Sequence, residues 1–101
     1  MGTRIDLGKL LAEIMEGNQV WFQPPSNLQL SYPCCLYRLA TVDTDHADNL
    51  PYVWRKRYTI TLIDKNPDSA FVDKILALPT CAFDRHYVAE NLNHWVFNIY
   101  A

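Results

Sequence analysis

The alternation of apolar and polar positions divides this chain of 101 residues into a helix, a series of strands, a second helix and a closing hairpin. Leu7, Leu10, Leu11 and Ile14 recur at the i, i+3, i+4, i+7 spacing of one helical face, with Lys9, Glu13 and Glu16 opposite. That spacing predicts a helix over 3–16, capped by Thr3 and closed by Gly17-Asn18. The short apolar run Val20-Trp21-Phe22 follows, and Pro24-Pro25 breaks regular structure after it. Residues 28–39 alternate as a strand, with Leu28, Leu30, Tyr32, Cys34 and Leu36 on one face. Pro33 donates no ladder hydrogen bond, which suggests an edge position or a bulge.

The polar stretch ATVDTDHADNLP reads as a loop. Residues 52–63 predict the clearest strand, with Tyr58, Ile60 and Leu62 to one side and Arg57, Thr59 and Thr61 to the other. DKNPDS then turns into a helix, capped by Asn66 or Asp68 with Pro67 near its first turn. Phe71, Val72, Ile75, Leu76 and Leu78 supply its apolar face, and Pro79 ends it. In the last segment Cys81, Phe83, Arg85 and Tyr87 alternate with Ala82, Asp84, His86 and Val88. AENLN forms a long turn, and Trp95, Phe97 and Ile99 oppose Val96, Asn98 and Tyr100. The order implies an α+β fold: a small, largely antiparallel sheet with two helices packed on it, ending in a β-hairpin. Residues 1–101 read as one domain, without internal repeat or linker.

Composition sharpens the picture. Hydrophobic residues make up 50% of the chain and charged residues 20%, a balance that opposes disorder. Three Trp, six Tyr and four Phe are more than a small core easily encloses, so part of them belongs at the surface, where aromatics favour protein contacts. For Trp95 a core position is expected, and for Trp54 core and surface stay open. The net charge of −2 speaks against nucleic acid as the main partner, and Arg55-Lys56-Arg57 is too short a basic run to reverse that. Cys34, Cys35 and Cys81 include no C-x-x-C pair, which favours a reducing compartment with the thiols as small hydrophobes. The first residues lack the apolar core of a signal peptide, and no run approaches a membrane span.

Candidate chemistry is incomplete. On a regular strand Asp84 and His86 share a face, Arg85 takes the other, and Cys81 falls on the alternation opposite His86, so a Cys–His pair is disfavoured. Asp43, Asp45, His46 and Asp48 cluster within a few residues, but the glycine and closing glutamate of a calcium loop are missing. A zinc site from His46, His86 and His94 requires convergence that their spacing does not provide. The only glycines are Gly2, Gly8 and Gly17, which build no phosphate-cradling loop, and there is no G-x-S-x-G. No catalytic residue, metal or cofactor is assigned. The expectation is a non-enzymatic protein that works by binding or assembly.

YPCCLYRL, DTDHADNLPYVWRKRYTITLIDKNPDS and LPTCAFDRHYVAENLNHWVFNIY, taken together, resemble a family of small proteins of long-tailed bacteriophages. Its members are described as tail-terminator, tail-completion, head–tail joining or minor capsid proteins. The likeness covers about residues 20–100. It centres on YTITLIDKNPDS and on Phe83, Asp84, Arg85, Tyr87, Asn91, Leu92, Asn93 and His94. It implies an α+β subunit that forms a homo-oligomeric ring, a hexamer in such proteins, which caps the tail tube protein and meets the head-completion or connector protein. DNA only passes through the lumen, and no membrane or cofactor is involved. The implied location is the virion neck, assembled in the host bacterial cytoplasm. On this reading Asp84, Arg85, His86, Arg55 and Arg57 lie at subunit interfaces. Asp43, Asp45 and Asp48 face the lumen from a loop, and Asn66 to Ser69 cap a helix. The alternatives are a head-completion (stopper or adaptor) protein on the portal side, a small metal-dependent hydrolase using Asp43, Asp45, His46 and His86, and a monomeric host-directed protein.

Overall fold

The computed structural model describes residues 4–25, 29–47 and 50–100, and for 43–47 and 50–55 it describes the backbone path alone. The elements run α1 (Arg4–Ile14), β1 (Gln19–Phe22), β2 (Cys34–Ala47), β3 (Leu50–Asp64), α2 (Phe71–Leu76), β4 (Cys81–Ala89) and β5 (Leu92–Tyr100). The five strands form one sheet in the order β1-β2-β3-β5-β4, parallel between β1 and β2 and antiparallel elsewhere. Both helices pack on the same face. The fold is therefore a small α+β domain with a mixed, largely antiparallel sheet and a terminal hairpin.

Period decides which residues enter the core. Leu7, Leu11 and Met15 come from α1 and the turn that ends it, and all three are fully buried. They meet Cys35 and Tyr37 of β2, Tyr58, Ile60 and Leu62 of β3, Trp95, Phe97 and Ile99 of β5, and Ile75 of α2. Each large side chain so enclosed contributes about 1.5–3 kcal/mol of transfer free energy, which is the main force holding the helices on the sheet. On α2, Ile75 is buried and Phe71, Val72 and Leu78 pack against the core, whereas Leu76, expected on the apolar face, is exposed. Met15 completes the α1 stripe one position beyond the residues its spacing singles out. Gly17, at φ 88°, turns the chain out of α1 into β1.

Several expectations are corrected. The strand expected over 28–39 begins only at Cys34, and its helix-facing residues are Cys35 and Tyr37. Cys34 and Leu36 lie on the other face, in a second small cluster with Leu30, Ile63 and Leu92. Leu28 lies outside the described residues. Pro33 is at no edge: it stands just before β2, which is an interior strand between β1 and β3. The stretch expected as a loop over 40–51 is mostly strand, since β2 runs to Ala47 and β3 starts at Leu50. The β2 backbone pairs with β3 along this length, and Thr41, Val42 and Thr44 are strand-favouring. Asn66 and Asp68 do not cap α2. The Asp64 carboxylate accepts from the Asn66 amide at 3.1 Å, and the Asn66 side chain accepts from the Asp68 amide at 2.9 Å, two successive side-chain turns. The residue before α2 is Ala70, which supplies no side-chain cap. Thr3, the cap expected for α1, lies outside the described residues.

The β4–β5 turn is shorter than AENLN suggests. Ala89 pairs with Leu92, and only Glu90 and Asn91 form the connection, at φ 54° and 63°. Two consecutive positive φ values are the signature of a type I′ hairpin turn, whose twist suits the flanking strands.

Candidate functional site

Three surfaces carry the residues singled out from the sequence: the β4 edge, the open face of the sheet and the β2–β3 ribbon. The β4 edge depends on a bulge. Phe83 pairs with Phe97 and Arg85 with Val96, so Asp84 is the extra residue. The bulge reverses the alternation beyond it. His86 lands opposite Trp95, on the helix-facing side with Cys81 and Phe83, while Arg85 and Tyr87 turn to the open face. The expected common face for Asp84 and His86 is therefore lost, as is the expected opposition of Cys81 and His86. Cys81 and His86 still stand four rows apart along β5, about 14 Å at the rise of an antiparallel strand, too far for a thiol–imidazole pair.

Asp84, Arg85, His86, Asn93 and His94 each have a local partner. Arg85 and Asp84 approach each other at 3.7 Å, both well exposed. The Asn93 amide nitrogen donates to the Lys65 carbonyl, which leaves its oxygen to accept, at 3.0 Å, from Nε2 of His86. That places a proton on His86 Nε2, whose ring also lies 5.3 Å from Trp95. His94 Nδ1 donates to the Leu92 carbonyl at 3.1 Å, and its ring stacks on Tyr87 at 4.6 Å. The two histidines face opposite sides of the sheet. Trp95 is buried, as expected. Beside the exposed Asp84, Arg85 and His86, β4 also exposes large side chains with apolar surface: Phe83 is 47% exposed, Tyr87 40% and Val88 63%.

The open face comprises Leu36 and Arg38 of β2, Arg57, Thr59 and Thr61 of β3, and His94, Val96 and Asn98 of β5, by register with the buried alternation. Thr59 and Asn98 share a hydrogen bond at 3.2 Å. A shallow groove of about 500 Å³ crosses this face, bounded by Gln23, Pro24, Leu36, Arg38, Leu39 and Thr59. On the same face, outside the groove lining, Arg57 Nε is buried with no hydrogen-bond acceptor among the described residues. Arg57 was singled out from the sequence, but Arg38, which shares this face, was not. The signal was available, since Arg38 follows Cys34 and Leu36 on the same alternation.

The third surface is the ribbon. β5 reaches Tyr100 opposite Arg57, whereas β3 continues back to Leu50, paired along that length with β2 as far as Ala47. The 15 residues of β3 span about 48 Å, in line with a longest dimension of 50 Å, so the two-stranded ribbon projects well past the sheet. Asp43 and Asp45 lie on this ribbon, Asp43 opposite Arg55, rather than on a loop. Their side chains, that of Arg55 and those of His46 and Trp54 lie outside the described residues, as does Asp48. Register separates Asp43 from His86 by seven rows along β3, about 24 Å, so the set Asp43, Asp45, His46 and His86 is not drawn to one point. Among the described residues no group of three or more His, Cys, Asp or Glu side chains could hold a metal.

All three cysteines are free, with Cys34 and Cys35 fully buried on opposite faces of β2. Burial, with a smaller contribution from Asp64, pushes the Cys34 thiol up to about 11. Burial also raises Cys35 and Cys81. Each is held in the unreactive thiol form, the opposite of what a nucleophilic cysteine needs. No helix among the described residues is long and apolar enough to cross a membrane. No family model matches the chain, and no curated protein matches its sequence.

Proposed function

We propose that this chain is a structural, non-enzymatic virion protein of the head–tail junction of a long-tailed bacteriophage. In this reading it forms a ring that completes the tail tube and joins it to the head connector. The observation that carries the assembly part is the projecting β2–β3 ribbon. A chain of 101 residues commits the ends of its two longest strands to an arm beyond the sheet. A two-stranded ribbon is marginal by itself in water and gains stability when something packs on it. The outermost strand β4 supports the same reading, because a sheet edge that exposes Phe83, Tyr87 and Val88 can receive another chain. The phage assignment is supported by the motifs around YTITLIDKNPDS and FDRHYVAENLNH.

The test is imaging of phage particles in which this chain carries a tag. Labelled density as a ring on the axis between head and tail is the expected result. Particles that lack the chain overturn the proposal. Recovery of the chain with tail tubes supports the terminator role, and recovery with the portal-side connector moves it to the head-completion role.

A further inference from the structure

We propose that the open face of the sheet docks a second copy of this chain, and that what it receives is the outer face of that copy's helices. The inference rests on the assembly reading above and specifies the contact such an assembly uses.

Charge is unevenly distributed over the two faces of the sheet. The chain as a whole carries a net charge of −2, yet Arg38 and Arg57 sit together on the open face without a described carboxylate in ion-pair range. Arg38 pairs with Thr59, so Arg57, two residues along β3, is its diagonal neighbour at about 7–8 Å between backbones. Two guanidinium groups at that spacing repel each other, and neither has a carboxylate partner among the described residues. Arg57 Nε is moreover buried without an acceptor, and a buried donor left unpaired is costly. Both costs are relieved if a carboxylate arrives from outside, since the guanidinium fork accepts one bidentately along its Nε edge.

The other layer of the same molecule supplies such groups. Glu13 on α1 and Asp73 on α2 are exposed and take part in no described ion pair. Of the nearby cations, Lys74 is engaged by Glu16 at 3.2 Å, and Lys9, one turn before Glu13, takes part in no described ion pair. Leu76 stands exposed on the same helix as Asp73, and Leu36 lines the groove of the open face, so each surface offers an apolar element as well. Helices and open face lie on opposite sides of the sheet. Contact between them is therefore heterologous, head to tail, the kind that closes into a ring when the rotation allows. A nucleic-acid occupant is less favoured: few cations face it, the groove is partly apolar, and the chain is acidic overall.

The experiment is sedimentation velocity on the full chain over a concentration series, at low and high salt. It compares wild type, Arg38→Glu with Arg57→Glu, Glu13→Arg with Asp73→Arg, an equimolar mixture of the two variants, and the fourfold variant. Circular dichroism on each confirms folding. Wild type is expected to self-associate more tightly at low salt, and each double reversal to weaken association about tenfold or more. The mixture and the fourfold variant should recover it, which misfolding cannot mimic. If wild type associates and both double reversals associate equally well, another surface is used: this inference falls and the assembly reading stands. A wild type that stays monomeric throughout overturns both. Retention of a DNA duplex that is abolished by the arginine reversals, with self-association intact, makes the face a nucleic-acid surface and overturns the inference.

Discussion

Gly8 lies in the middle of α1, where glycine is a poor choice, and replacing it by alanine tests how tightly the helix sits on the sheet. Helix propensity alone favours Gly8→Ala by about 0.8–1 kcal/mol. A Cβ built at Gly8, however, meets the Tyr37 hydroxyl oxygen at 2.5 Å, while the ring carbon that bears it is at an ordinary 3.5 Å. Tyr37 is 8% exposed and its ring rests on Phe22 at a centroid distance of 5.1 Å, so the hydroxyl moves only if the ring moves. Overpacking of this kind costs about 1–3 kcal/mol. The expected net effect of Gly8→Ala in the wild type is a loss of about 1 kcal/mol, a fall of roughly 4–8 °C in Tm. In a Tyr37→Phe background the obstructing oxygen is gone, and the same substitution should stabilise by up to about 1 kcal/mol. The sign reverses, and the coupling energy is about 1–3 kcal/mol. Urea unfolding of the four proteins at one fixed concentration, with a constant m-value, measures it. Equal effects of Gly8→Ala in both backgrounds would refute the claim that the phenol closes this space.

Three further outcomes follow from particular features. Replacing Glu90-Asn91 by Asn-Gly puts the residues a type I′ turn prefers at the two positive φ positions, and should raise stability by about 1 kcal/mol in the same urea assay. Deleting Asp84 removes the residue that has no partner on β5 and leaves a regular ladder, so the His86–Trp95 and Tyr87–His94 ring contacts should persist in NMR spectra with stability changed by less than about 1 kcal/mol; loss of those contacts would show that the bulge does more than insert one residue. The folded chain holds the Cys34 proton up to about pH 11 whereas the unfolded chain releases it near 9, so this thiol's contribution is intact below pH 9 and is lost as the pH rises towards 11. Urea midpoints at several pH values should fall across that window, and Cys34→Ala should flatten the fall; parallel profiles for the two proteins would remove the thiol as the cause.

Much of the fold is written in local periods. The α1 stripe, the alternation of β3 around Ile60 and the Trp95-Phe97-Ile99 face of β5 can be read directly, because each buries one side against the same core. The stop at Pro79 and the chain reversal before β5 are likewise local chemistry. The candidate surfaces are another matter. The side of β3 on which Arg57 lies was legible from its alternation, but its orphaned Nε and its company with Arg38 exist only once β2 and β3 are in register. The inward face of β2 was ambiguous, since Cys34-Leu36 and Cys35-Tyr37 are equally apolar, and the choice fell to whichever pair the helices cover.

The extra residue at Asp84 shows the division most plainly. Nothing in CAFDRHYVA marks a bulge, and an unbroken alternation puts His86 on the wrong side; only pairing against β5 reveals the shift. The same holds for the ribbon. Its Asp-rich segment carries the composition of a loop, and it is strand because a long partner lies alongside to take its backbone hydrogen bonds. Side-chain period is a property of neighbours in sequence, which the chain carries in itself. Register and the burial of one face over another are settled between segments far apart in the chain, by the backbone hydrogen bonds and apolar area that only one mutual arrangement satisfies.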